Sequence, residues 1–209
     1  MAVKILGISG SPRNAATEYA LRQALEAAGE VEGVETEFYS LKGRKLNFCI
    51  HCDRCVKEGS DRCVVYNDDM NELYDPFYTA DGYIIASPVY EMGVTGQLAT
   101  FFNRFRPTYT MLKEDPDQFS TRVGGAMAVG GTRNGGQECT INNILGFYHT
   151  HGILVVNGGL GIYHGVSIWS KDQKAQGAKE DEAGIRNART LGSKVAKTAV
   201  LIKKGITAQ

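Results

Sequence analysis

Residues 3–17 read VKILGISGSPRNAAT, and this stretch decides the fold. Residues 3–8 form a short apolar run typical of a buried strand, and residues 17–28 have the apolar spacing of a helix. Similar runs, each ending in Gly, Ser, Pro or Asn, are expected to form four more buried strands, at 34–39, 82–86, 122–129 and 152–156. Helical spacing recurs at 70–80, 96–105, 137–149 and 181–203. This alternation predicts an α/β fold with a doubly wound parallel sheet and right-handed crossovers.

The bulk properties exclude several classes of function. The chain has 209 residues with no dividing linker, which predicts a single domain over residues 1–209. Its 23 basic and 23 acidic residues cancel, so neither nucleic acid nor an anionic membrane is expected as a partner. No apolar run approaches the roughly 20 residues that cross a bilayer. No secretory signal pattern precedes the first strand, so we expect a cytoplasmic protein with reduced thiols.

The loop after the first strand has the features of a phosphate site. Residues 7–17 offer hydroxyl groups, free backbone N–H groups and a helix N-terminus. The loop lacks the G-x-G-x-x-G pattern, and the second strand ends at Tyr39 and Ser40 with no acidic residue to hold a ribose. It also lacks the Gly-Lys-Ser/Thr of a Walker loop, which argues against ATP or GTP. A single terminal phosphate fits better, although an ordinary capped turn is the alternative.

Two further strand-end loops favour a planar heterocycle. Residues 87–94 read SPVYEMGV, in which proline stiffens the backbone and Tyr90 and Met92 offer flat or polarizable surface. Residues 130–136 read GGTRNGG, whose glycines allow the main chain to approach a ring while Arg133 faces its polar edge. Ligands of parallel α/β sheets bind at the carboxyl ends of the strands, so these loops are expected to share one site.

Four of the five cysteines lie within fifteen residues, as Cys49, Cys52, Cys55 and Cys63. The C-x2-C-x2-C-x7-C spacing provides four thiolates from one loop and favours a [4Fe–4S] cluster, which indicates electron transfer. Zinc is an alternative, although structural zinc sites usually use two separated pairs. Thiols that bind nothing stable, or that cycle through a disulfide, are the remaining possibility. Because there is no second cysteine string, we expect one cluster per chain.

Other features are assigned more plainly. Residues 42–62 carry an excess of three positive charges, either a solvated loop or a docking patch for an acidic redox protein such as a ferredoxin. The lone Cys139 is expected to be a small buried side chain. His149 and His151, two apart at a helix end, do not predict a shared metal. Of the two long connections, 41–67 is expected to be functional and 163–179 receives no assignment.

Together these motifs resemble the flavodoxin-like NAD(P)H-dependent FMN reductase superfamily. The resemblance is carried by the loop at 7–17, by SPVY and GQL within 87–98, and by GGTRNGG at 130–136. The cysteine string, followed by Asn67-Asp68-Asp69-Met70, is similar to that of the superfamily's iron–sulfur flavoproteins. The match runs over residues 3–160. It implies an FMN cofactor, a sheet in the order 2-1-3-4-5 with the cysteine-rich cluster loop at 45–67 inserted after the second strand, and a homodimer or homotetramer.

The resemblance also implies a role for individual residues. It assigns the FMN phosphate to Ser9, Ser11, Arg13, Asn14 and Thr17. It assigns the flavin ring and ribityl chain to Pro88, Val89, Tyr90, Glu91, Met92 and Gly93. It assigns the far edge of the ring to Thr132, Arg133, Asn134 and Gly136. The cluster ligands would be Cys49, Cys52, Cys55 and Cys63, and no general base is expected.

The function implied is an FMN-dependent oxidoreductase that takes electrons from a donor such as ferredoxin, through the cluster and FMN, to dioxygen, peroxide or a quinone. A flavin takes electrons singly or in pairs and a cluster takes one, so a chain holding both can join the two kinds of chemistry. One alternative is an NAD(P)H-dependent FMN or quinone reductase without a cluster. A second is a non-catalytic redox carrier or sensor.

Overall fold

A parallel sheet organises the chain. The computed structural model describes residues 2–208. Its strands are β1 Val3–Ser9, β2 Val34–Ser40, β3 Gly82–Pro88, β4 Val123–Gly130, β5 Leu154–Val155 and β6 Val166–Trp169. The order β2-β1-β3-β4-β5 confirms the predicted doubly wound, flavodoxin-like sheet, and all the pairings are parallel.

The far edge of the sheet differs from the prediction. The fifth strand has only two paired residues, with Leu154 opposite Val123. The carboxyl-terminal half of β4, residues 127–130, pairs instead with β6. Val166 lies opposite Met127, and Trp169 lies opposite Gly130. The connection 163–179, which received no assignment, therefore supplies a sixth strand. It brings the residues that follow Trp169 to the carboxyl edge of the sheet.

Eight helices are present in residues 2–208: α1 Ala16–Gly29, α2 Arg54–Lys57, α3 Asn71–Thr79, α4 Gly96–Asn103, α5 Thr108–Glu114, α6 Gln137–Thr150, α7 Lys174–Glu180 and α8 Glu182–Thr207. The five predicted helices are confirmed, and α2, α5 and α7 are additional short ones. None of the helices in this described part of the chain is both long enough and apolar enough to span a bilayer.

The helices cover the sheet on both faces. One apolar core lies beneath α1 and α8, around Leu21, Leu191 and Val195. The other lies beneath α3, α4 and α6, and is dominated by aromatic rings such as Phe77 and Phe101. The interior strands β3 and β4 are buried along their whole length.

Strand β2 was expected to be buried, and this was wrong. Its residues 35–37 are exposed, because β2 is the edge strand and the sequence Glu-Thr-Glu occupies its centre. The positions of β1, β3 and β4 in the sheet have the greater consequence for a binding site. Their carboxyl ends are neighbours, so the three loops picked out from the sequence emerge side by side.

Candidate functional site

A pocket opens at the N-terminus of α1. Ala15, at the N-cap position, makes no side-chain cap, so N–H groups of the first turn remain available to a ligand. Such groups, together with the helix dipole, are suited to binding an anion. The pocket is lined by Ser11, Arg13, Ala15, Ala16, Thr17, Pro88, Val89, Tyr90, Val129, Gly131, Ser170, Asp172 and Lys174.

The phosphate loop predicted from the sequence is held by its own hydroxyls. Ser11 Oγ donates to the Arg13 carbonyl at 2.8 Å and accepts from the Arg13 N–H at 3.1 Å. Ser9, which is buried, accepts from the Ser11 N–H at 3.4 Å. Thr95 Oγ1 donates to the Gly10 carbonyl at 2.6 Å and so joins this loop to the start of α4. Ser9 supports the loop rather than lining the pocket, and Asn14 is exposed outside it.

Three residues of this pocket were missed by sequence reasoning. Ser170, Asp172 and Lys174 follow β6, and the last two have φ values of 54° and 52°, in the left-handed region. Strained backbone of this kind is common at ligand sites. The alternating sequence VSIW at 166–169 is a strand signal, and recognising it would have brought its following loop to the same edge.

The loop after β3 is a tight turn that presents two side chains. The Tyr90 N–H donates to the Gly93 carbonyl at 3.0 Å, and the Gly93 N–H donates back to the Tyr90 carbonyl at 2.9 Å. Glu91 and Met92 between them have φ values of 45° and 66°, as in a type I′ turn. Met92 and Tyr90 are exposed beside the pocket. The turn therefore forms a partly apolar rim beside the pocket.

The glycine-rich loop after β4 contacts that turn. Gln137 fixes it, because its Oε1 accepts from the Gly135 N–H at 2.8 Å and its Nε2 donates to the Thr132 carbonyl at 2.6 Å. Gly136 has a φ of 102°, and a Cβ there would lie 2.7 Å from Met92 Sδ. A second pocket here is lined by Met92, Arg133, Asn134, Gly136, Gln137, Glu138, Cys139 and Ser167. The two loops thus close against each other.

The Arg133 guanidinium packs 4.5 Å from the centre of the Trp169 indole. One expectation for this region was wrong. Cys139 is exposed rather than buried, because it lies on the outer face of α6 in the second pocket. Thr132, Glu91 and Gly93 line neither pocket, although their backbones shape both loops.

The four clustered cysteines lie in the connection between β2 and α3, and all four line one narrow cavity. Its other walls are Ile50, Asp53, Val64, Val65, Tyr66, Arg104, Arg106 and Pro107. Cys55 is buried, Cys49 and Cys63 are half-buried and Cys52 is exposed. Within residues 2–208, no three His, Cys, Asp or Glu side chains converge as a single-ion metal site. The cysteines surround a space instead.

Burial and the neighbouring cysteines disfavour the thiolate form of Cys55. Burial raises the pKa of the Cys55 thiol, and the nearby Cys63, Cys49 and Cys52 raise it further because neighbouring thiolates repel one another. A backbone hydrogen bond from Val56 acts in the opposite direction. Metal ions bound among thiols remove such repulsion and deprotonate them. The donor set of four soft sulfurs around one space therefore fits an iron–sulfur cluster.

A buried ion pair forms one wall of the same cavity. Arg104 Nη1 donates to Asp68 Oδ2 at 2.6 Å and to the Asn47 carbonyl at 2.8 Å. The two charged side chains are only 1% and 4% exposed. Burial alone would raise the pKa of Asp68, but hydrogen bonds from Arg104 and Asn47 outweigh it and hold that pKa below its usual value. Asp68 belongs to the sequence that follows the cysteine string.

The positive charge expected around the cysteines is partly neutralised. Arg44 pairs with Glu72, and Arg62 pairs with Asp75, both from α3. Arg54 pairs with Glu58 within the loop. The predicted docking patch is therefore less basic than the segment's own composition indicates.

The histidines near the end of α6 differ in burial. His151 is buried, with Nδ1 2.8 Å from the Phe147 carbonyl and Nε2 3.1 Å from Thr108 Oγ1, while His149 is exposed. Burial lowers the pKa of His151. His51 lies in the cysteine loop, where its N–H donates to Cys49 Sγ at 3.4 Å.

Comparisons with known proteins agree with this fold. The family model described as NADPH-dependent FMN reductase matches residues 3–165. An iron–sulfur flavoprotein of Methanocaldococcus jannaschii is 43% identical over 90% of this chain and 92% of its own length. One from Archaeoglobus fulgidus is 44% identical over 88% of this chain and 91% of its own. One from Methanosarcina thermophila is 36% identical, over 97% and 98%.

Solved structures agree as well. A flavone reductase aligns with a TM-score of 0.70 and 26% identity, over 96% of this chain and 64% of that protein. The protein RosB aligns with a TM-score of 0.73 over 97% of this chain and 81% of its own, and at 16% identity it supports the fold alone. The strand order, the family model and the curated relatives lead to one conclusion. The chain belongs to the flavodoxin-like NADPH-dependent FMN reductase family, among its iron–sulfur flavoproteins, and is an FMN-dependent oxidoreductase.

Proposed function

We propose that the protein couples a one-electron donor such as ferredoxin to the reduction of a small acceptor, namely dioxygen, peroxide or a quinone. FMN would occupy the strand-end pockets and a [4Fe–4S] cluster would occupy the cysteine cavity. FMN supplies one- or two-electron chemistry, and the cluster supplies one-electron chemistry. The observation that carries the proposal is that all four clustered cysteines line one cavity in a chain that also has the strand-end pockets.

The pocket residues have distinct tasks toward FMN. The uncapped N-terminus of α1, with Ser11, Arg13 and Thr17, would hold the phosphate. Lys174, which follows β6, lines the same pocket and adds a positive charge there, next to the negative charge of Asp172. The turn centred on Glu91 and Met92 and the loop 131–136 would orient the ring through backbone groups and exclude water from one side of it. No side chain is assigned as a proton donor, since electron transfer needs none.

The cysteine loop has a separate task. Cys49, Cys52, Cys55 and Cys63 would each provide a thiolate, and Ile50, Val64, Val65 and Pro107 would limit the access of water. Limited solvent access also sets the reduction potential of such a centre. We propose that residues 1–209 act as one FMN-binding domain in which the segment 45–67 is the cluster loop.

Anaerobic purification with metal, sulfide and flavin analysis tests this function. The expected result is four irons, four sulfides and one FMN per chain, with the broad visible absorption of a cluster added to that of the flavin. FMN with zinc, or FMN with no metal, would refute the cluster assignment. An FMN-free preparation that takes up no added FMN would refute the assignment of the strand-end pockets.

A second candidate function is an NAD(P)H-dependent FMN or quinone reductase. The matched family model, described as NADPH-dependent FMN reductase, favours it. In that case hydride would pass directly from the nicotinamide, and the cysteines would be structural or redox-sensitive. Mixing the anaerobic protein with NADPH alone distinguishes the two. Rapid bleaching of the FMN absorption supports the second candidate, whereas slow bleaching by NADPH and rapid bleaching by a reduced ferredoxin supports the first.

A further inference from the structure

Arg104 is buried at the wall of the cysteine cavity with part of its guanidinium unpartnered. It follows directly after α4, and only 1% of its side chain is exposed. Nη1 is fully used by Asp68 and Asn47. Nε and Nη2 are buried and have no hydrogen-bond partner. Unmet donors on a buried cation are costly, so native proteins rarely retain them without a ligand or water.

Arg104 lies at the same cavity as the predicted cluster ligands. Arg104 and the four cysteines line the same cavity, and the remaining walls are mainly apolar. The Cys63 N–H donates to Tyr74 Oη at 3.3 Å, and Tyr74 Oη donates to the Arg104 carbonyl at 2.8 Å. The backbones of a predicted ligand and of the arginine are therefore linked through one hydroxyl. The ring of Tyr66, 5.3 Å from the guanidinium carbon, covers it on one side.

The ion pair with Asp68 explains how a cation is kept at this depth. Asp68 is itself fixed, because it accepts from the Asn47 backbone N–H at 2.8 Å, from Asn47 Nδ2 at 2.9 Å and from the Met70 N–H at 3.2 Å. The carboxylate thus holds one edge of the guanidinium and leaves the other edge free. Nitrogens on that free edge are the unpartnered donors.

We propose that Arg104 is a positioning residue for the cluster, donating from Nε and Nη2 to its sulfur atoms and raising its reduction potential. The inference rests on the proposed function, because it requires a cluster in the cysteine cavity. Hydrogen bonds to the sulfurs and a nearby positive charge both favour the reduced state, which carries one more negative charge. Asp68 has the opposite sign and lies on the far edge of the guanidinium, where it moderates the effect.

The test is a redox titration of the anaerobic holoprotein, followed by the electron paramagnetic resonance of the reduced cluster. For Arg104→Gln, the equilibrium constant for one-electron reduction is expected to fall about tenfold, which is about 59 mV. Arg104→Lys keeps the charge and loses the planar pair of donors, so a smaller fall is expected. Arg106→Gln is the matched control. Arg106 lines the same cavity, but its Nε is 2.9 Å from Asp53 Oδ1 and its side chain is 25% exposed, so a change of less than threefold is expected.

A second variant covers the case in which Arg104→Gln does not fold, because that change leaves Asp68 buried and unpaired. The double variant Asp68→Asn with Arg104→Gln removes both charges and still lacks the two donors, so its equilibrium constant is also expected to lie below wild type. A double variant with wild-type iron and an unchanged potential would overturn the role of Arg104 and leave the cluster in place. A wild-type protein without iron would instead overturn the proposed function itself.

Discussion

Replacing Gly136 by alanine tests whether the contact between the two ring-binding loops forms the flavin site. The backbone of Gly136 has a φ of 102°, and an added Cβ would lie 2.7 Å from Met92 Sδ, 3.1 Å from Met92 Cα and 3.3 Å from Val89 Cγ1. A non-glycine residue in this region of φ costs about 1–2 kcal/mol. Overpacking against backbone costs about 1–3 kcal/mol more. We therefore expect the free energy of unfolding to fall by about 2–5 kcal/mol.

The same displacement is expected to weaken FMN binding. Met92 and Val89 must move away from the added Cβ, which disturbs the two loops proposed to hold the ring. A loss of about 1.4 kcal/mol is a tenfold change in Kd. Denaturant unfolding without FMN measures the stability. Quenching of FMN fluorescence measures the affinity, in buffer without denaturant and at a temperature well below Tm.

The control is Gly146→Ala in the same helix. Gly146 is exposed in α6, and a Cβ there meets nothing within 4 Å. Alanine is preferred over glycine inside a helix by about 1 kcal/mol, so this variant is expected to gain stability and bind FMN normally. A wild-type FMN affinity in Gly136→Ala, measured on protein that is shown to be folded, would refute the placement of the ring between the loops.

Three further predictions follow from the pockets and the buried histidine. Arg13→Ala is expected to weaken FMN binding about tenfold to 100-fold, because a hydrogen bond to a charged group contributes about 1.5–3 kcal/mol. Riboflavin, which has no phosphate, should bind the variant and the wild-type protein alike. An equal loss of affinity for both ligands would contradict the phosphate role. Cys63→Ser is expected to abolish stoichiometric iron, whereas Cys139→Ser should keep both iron and FMN; full iron in the first variant would show that Cys63 is not a ligand. Burial lowers the pKa of His151 from 6.5, so its neutral form contributes full stability above about pH 6.5 and loses it as the pH falls toward the folded-state pKa. Denaturant titrations from pH 7 to 5 should show a smaller loss in His151→Gln, and identical pH slopes would contradict this.

The interior of the sheet could be predicted because its signals are local. The apolar runs of β1, β3 and β4 end in serine, proline and glycine, respectively. Each of these residues lies at the carboxyl end of a buried strand. The loops at 7–17, 87–94 and 130–136 therefore come together as expected. The proximity of the four cysteines could also be predicted, because four thiols within fifteen residues cannot lie far apart.

The remainder depends on contacts between distant segments. Strand β6 has only four residues. Its alternating sequence marks it as a strand, but the pairing with β4 that places Ser170, Asp172 and Lys174 at the pocket depends on the assembled sheet. Arg104 lies within the predicted helix 96–105 and belongs to no motif of the sequence. Its partner Asp68 is 36 positions away in the sequence. The role of Arg104 depends on the burial of both side chains, which only the folded structure shows.

Helix α4 has a consequence for how the two proposed sites can vary. Thr95 caps its start, accepting from the Leu98 N–H at 3.2 Å and donating to the phosphate loop, while Arg104 ends it at the cysteine cavity. The nine residue steps from Thr95 to Arg104 set the spacing of these two residues along the helix axis at roughly 14 Å. One inserted residue would turn Arg104 by about 100° around that axis and point the guanidinium away from the cavity. The helix thus acts as a fixed-length spacer, and loops on either side can lengthen or shorten while its residue count stays constrained.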